Sequence, residues 1–91
     1  MENNTERLMK VTTAIKTIYD LLAQYDSYKI KGEYIALEPD IKYFNVNVWV
    51  NGALFTIVHE WDFDDTDKLI ELAYYTICAC DIVIKMKAAG K

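Results

Sequence analysis

One proline, one histidine, three glycines and two cysteines are all that this chain of 91 residues contains of those types, and each scarcity closes off a class of protein. Two cysteines make no disulfide framework of the kind that staples small secreted domains. With so little glycine and proline there is no low-complexity segment or linker, and no internal repeat appears; residues 1–91 therefore read as one domain. The longest apolar run, residues 69–84, is broken by Glu71 and Asp81 and falls short of the ~20 residues a bilayer span needs. Positive charge is also short: 14 acidic against 10 basic residues leave a net charge of −4. That balance argues against direct nucleic-acid binding, whose affinity comes from neutralising phosphates, and suits a protein partner with a basic surface. The opening Met-Glu-Asn-Asn-Thr-Glu has no basic segment followed by an apolar run, so a soluble, cytoplasmic protein with no membrane partner is expected.

What the chain has in quantity is apolar surface, 53% of its residues, arranged with clear periods. Asn51-Gly52 between two alternating runs is the strongest local signal for a two-residue hairpin. A plain register pairs Val50 with Ala53, Val48 with Phe55, Val46 with Ile57 and Phe44 with His59 on a core face. Trp49 then meets Leu54, Asn47 meets Thr56, Asn45 meets Val58 and Tyr43 meets Glu60 on the opposite face. Residues 33–38 alternate as a first strand, putting Ile35 and Leu37 in the core and Tyr34 and Ala36 outside. Pro39-Asp40 turns the chain into residues 41–50, and residues 53–61 complete a three-stranded antiparallel meander.

Helical spacing brings Leu8, Val11, Ile15, Ile18, Tyr19, Leu22 and Tyr25 to one side of a helix over residues 5–25, with Asn3 or Asn4 as its cap and a polar connector over 27–32. A last helix over residues 64–87 opens on Asp64, Asp65 and Asp67 and closes near Lys85, Lys87 and Lys91, matching the helix dipole. Its polar stripe is narrow (Glu71, Tyr74, Cys78, Asp81, Lys85), so more than one side must find cover. The expected fold is α+β, a two-layer α-β-β-β-α arrangement with both helices on one face of the sheet.

No constellation assembles a nucleophile, a base and an oxyanion site, so no catalytic residue, cofactor or metal site is assigned and the chain reads as a non-enzyme. Asp62-Phe63-Asp64-Asp65-Thr66 resembles the Asp-x-Asp-x-Thr nucleophile loop of haloacid-dehalogenase-like phosphatases. That loop sits at the end of a parallel strand in a doubly wound sheet. Here it follows an antiparallel hairpin in a chain too short for such a sheet. As a calcium loop the same stretch lacks the turn glycine and has Ala73 where a bidentate Glu is needed. Capping of the helix is the expected role of these carboxylates. Cys78 and Cys80, two apart on a helix, point roughly 200° from each other and share no ion. His59 has no nearby serine, and Glu60 points to the other face, so a partly buried, hydrogen-bonded histidine on the core-facing side is expected.

Function must then come from surfaces. Tyr34, Tyr43, Asn45, Asn47, Trp49, Leu54, Thr56 and Val58 form the expected outer sheet face, an aromatic and Asn-rich interface suited to a homodimer or another protein. Glu60, Asp62, Asp64, Asp65 and Asp67 form an acidic run expected to dock on a basic, nucleic-acid-handling partner. In size, charge and lack of catalytic groups the chain resembles the small accessory proteins of phages and mobile elements, among them anti-CRISPR and other anti-defence inhibitors. The alternative is a homo-oligomer that binds or sequesters a nucleotide-like small ligand between its sheet faces.

Overall fold

Asn51 and Gly52 both take positive φ, 51° and 83°, the backbone of the two-residue turn that their chemistry favours. The computed structural model describes residues 4–90. Along the chain come α1 (Asn4–Lys31), β1 (Ile35–Asp40), β2 (Asn45–Val50), β3 (Ala53–Val58), a 3-10 turn (Glu60–Asp62) and α2 (Thr66–Ala89). Asn3 and Lys91, an expected cap and an expected terminal base, lie outside the described residues. The three strands form an antiparallel sheet in the order β1-β2-β3, so the fold is α+β and α-β-β-β-α. Along β2 the burial alternates: Val46, Val48 and Val50 are buried, and Asn45, Asn47 and Trp49 are half-buried. The core joins those valines to Val11, Ile18 and Leu22 of α1 and Leu69, Ala73 and Cys80 of α2. Both helices thus cover one face of the sheet.

The second hairpin departs from the plain register. Val50 faces Ala53 and Trp49 faces Leu54, but Val48 faces Thr56, Asn47 faces Ile57 and Val46 faces Val58. An extra residue on β3, Phe55, makes a β-bulge there. Because side chains alternate with a period of two, one inserted residue exchanges the faces of everything beyond it. Val58 is accordingly buried, and Phe55 and Ile57, expected in the core, are exposed. Thr56 and Val58, expected on the outer face, belong to the inner one.

The first hairpin also differs from expectation. Pro39 pairs with Val46 and Asp40 with Asn45, so the strand runs through the proline instead of ending before it. β1 is an edge strand, where the missing N–H costs no ladder bond. The turn lies at residues 41–44, closed by the Asp40 carboxylate accepting from the Lys42 and Tyr43 amides at 3.1 and 3.2 Å. Phe44 ends it with φ of 57°, in the left-handed region. Its ring lies in the core with the Arg7 guanidinium 3.9 Å from its centroid. It does not pair with His59.

α1 extends six residues past its expected end, through the segment expected as a connector, but it is not one regular helix. Asp26 has φ −162° and ψ 95°, and its carboxylate accepts from the Tyr28 amide at 3.0 Å. Asp26 thus ends one helix and caps a short second one. Lys29, largely buried, bridges Asp26 to Asp81 of α2, the latter at 2.7 Å. The hydrogen bonds its ammonium group donates to both carboxylates, that to Asp26 foremost, hold it above the ordinary lysine pKa.

Candidate functional site

The expected outer-face residues do not form one patch. Tyr34 precedes β1 beside the tight turn, where its carbonyl accepts from the Asn51 amide at 2.7 Å. Its ring lies so near Gly32 that a Cβ there would come within 2.8 Å of it. Tyr43 stands at the other end of the sheet, exposed, with the Lys42 ammonium 5.3 Å from its ring. Between them the Glu38 carboxylate accepts from the Asn47 amide at 3.0 Å and from the Trp49 indole at 3.2 Å through one oxygen. Asn45 accepts from the Glu60 backbone amide at 3.2 Å and so ties β2 to the turn after β3. Leu54 remains exposed, joined by Phe55 and Ile57, while Thr56 and Val58 face inward.

The acidic run is similarly divided. Glu60 is clamped by Arg7 through two bonds of 2.9 and 2.7 Å, and these bonds hold its carboxyl below the usual glutamate range. Asp62 is buried and accepts from the Lys68 ammonium at 2.9 Å, raising the Lys68 pKa. Asp65 caps α2, accepting from the Lys68 amide at 3.1 Å. Asp64 and Asp67 are exposed. Among the described residues no three His, Cys, Asp or Glu side chains converge as a metal site. Cys80 is buried, and burial pushes its thiol pKa up. Cys78 is half-buried beside the Tyr74 hydroxyl, whose pKa its hydrogen bond raises.

One residue outside the expected sets stands out. Trp61, 76% exposed, lies flat against His59 with ring centroids 4.4 Å apart and planes 4° from parallel. His59 is half-buried, as expected, and its ring stacks on Trp61. Nothing in the sequence marks this: on a plain register continued through residues 53–61 both rings would have joined the core face, but β3 carries a bulge and ends at Val58, and Trp61 lies in the 3-10 turn that follows. Beside this turn a surface concavity of about 420 Å³ opens between α1 and residues 60–64, lined by Met9, Lys10, Thr13, Glu60, Phe63 and Asp64.

No family model, curated protein or solved structure matches this chain.

A second concavity, about 230 Å³, lies between β3 and α2. Its walls are Thr56, Ile57, Val58, Leu69, Leu72 and Tyr75, with Asp62, Lys68 and Glu71 at its rim. No helix among the described residues is long and apolar enough to cross a membrane.

Proposed function

We propose that this protein acts without catalysis, by docking on another protein with Trp61 as its anchor. The observation that carries the reading is the exposed indole held flat on His59. Leaving so large an apolar ring in water forgoes about 1.5–3 kcal/mol of burial. A ring already ordered by stacking loses little side-chain freedom when a partner covers it, and tryptophan is the residue type most enriched at binding hot spots. The exposed carboxylates of Asp64 and Asp67, three and six residues further on, together with the net charge of −4, favour a partner with a basic surface. Blocking the basic, nucleic-acid-handling face of a defence protein is the specific role proposed, on the strength of that charge and of the chain's small size.

The test is quantitative affinity capture from the native host with the wild type and two variants. Trp61→Ala should lose its captured partner by about 30-fold, the loss expected of a hot spot of ~2 kcal/mol. Asp64→Asn with Asp67→Asn should weaken capture less, and more at low salt than at high salt. Equal enrichment of every captured protein by wild type and Trp61→Ala would remove the proposal.

A further inference from the structure

The two edges of the sheet are treated differently. On β1 the edge is closed: Pro39 offers no N–H, Glu38 puts a charge on the strand, and the Leu37 amide donates to the Tyr19 hydroxyl at 3.0 Å. These are devices that stop an edge strand from pairing again. β3, Ala-Leu-Phe-Thr-Ile-Val, carries no charge and no proline, and β2 lies on one side of it with no strand on the other among the described residues. Leu54, Phe55 and Ile57 are exposed along it. The concavity of about 230 Å³ runs beside this same edge, between β3 and α2. A dry apolar cavity of about 150 Å³ already holds a benzene ring, so this one has room for one aromatic or large aliphatic side chain.

We infer that the occupant is a second copy of this chain: β3 pairs antiparallel with β3 of the copy, extending two three-stranded sheets into one of six strands. Three features favour a copy over a foreign strand. An uncharged strand pairs with itself about a two-fold axis without setting like charges opposite each other, and the axis uses the free edge and the neighbouring cavity of both copies equally. The rim of the cavity is partly neutralised in advance by the Asp62–Lys68 pair, so the chain's negative charge is not concentrated there. α2 also lies beside both ends of β3: Leu69 shares the cavity wall with Val58, and Lys87 donates to Asn51 in the turn that precedes the strand. Tyr75 lines the cavity, and Ile82, seven residues on and therefore on the same stripe, is exposed as well. Strand and helix together offer a strip roughly 20 Å long and roughly 20 Å deep, two layers thick. Paired with its copy this buries on the order of 1,000 Å², the lower limit for a specific interface, so micromolar association is expected. The bulge at Phe55, which interrupts the strand, and the net charge of −4 on each copy oppose pairing.

Sedimentation of the whole chain from roughly 10 µM to roughly 500 µM should show a monomer–dimer equilibrium in that range. Phe55→Lys and Ile57→Lys, at exposed positions, should each weaken it at least tenfold with an unchanged far-ultraviolet circular dichroism spectrum. Trp49→Lys on the sheet face and Trp61→Ala should leave it intact. Should either lysine variant unfold, amide hydrogen exchange of the wild type decides the matter: protection of residues 54–57 must rise with concentration. A wild-type monomer at the highest concentration, a dimer broken by Trp49→Lys but not by the β3 lysines, or exchange at β3 independent of concentration would each overturn the inference. Loss of the dimer with Trp61-dependent capture intact would leave the docking proposal standing.

Discussion

Arg7 does two jobs from one side chain, lying over the Phe44 ring and gripping Glu60 with a two-bond fork. Lysine, a point charge without that planar fork, would keep the sign and lose the geometry. The bonds from Arg7 depress the Glu60 pKa in the folded state. Their stabilisation is therefore present above the ordinary glutamate value and is lost as pH falls through the lowered one. Glu60→Gln should flatten the acid limb of stability against pH, read by urea unfolding at a series of pH values. Part of the limb will remain, because Asp26 is depressed too, chiefly by its bond to Lys29. Lys29 works in the opposite sense: with its folded pKa raised, its contribution holds below the ordinary lysine value and fades as pH rises through the raised one. At Asp65 the question is local. Asp65→Ala removes the side-chain bond to the Lys68 amide and should cost about 1 kcal/mol by chemical denaturation, the usual loss for a helix cap.

At the level of elements, the parts governed by short-range chemistry were legible. Asn51-Gly52 specified its turn, the alternation of residues 45–50 specified which side of β2 is buried, and the 3.6-residue period marked Val11, Ile18 and Leu22 as buried in α1. Tyr25, expected on the same stripe, is exposed, and Ala14 is buried instead. The Asp-rich entry to α2 is a cap, as its composition suggests. The helical segment after Asp26 and the bulge in β3 were not legible, for the same physical reason. The helical segment after Asp26 is held by a carboxylate that caps it and by Lys29 reaching Asp81 of another helix; neither partner shows in a local periodicity. Phe55 reads as an ordinary strand residue, and its bulge brings Val58 opposite Val46 in the core, a pairing between strands that the local pattern does not show. Deleting Phe55 should therefore leave Thr56 opposite Val48 and Val58 opposite Val46. Nuclear Overhauser contacts between Val46 and Val58 should persist; their replacement by contacts between Val46 and Ile57 would show that the bulge does not set the register.

For the molecule as a whole, a single core carries the stability. Leu22 is fully buried where α1 enters it. Leu22→Ala should cost about 2–5 kcal/mol, a large share of the 5–15 kcal/mol that small domains possess, and lower the thermal midpoint accordingly. Trp61→Ala, at an exposed position, should leave that midpoint almost unchanged, which is what separates an anchor from a core residue. The sequence by itself determined the order of helices and strands, the tight turn and the inner face of β2, because each follows from torsional preference or period within a few residues. Only the tertiary structure decided which carboxylates are tied up internally, which rings face water and which sheet edge stays open. Arg7 reaches Glu60 across 53 positions, and one bulged residue exchanges the faces of the strand beyond it. Contacts at such a range depend on how the layers close, and no local pattern encodes them.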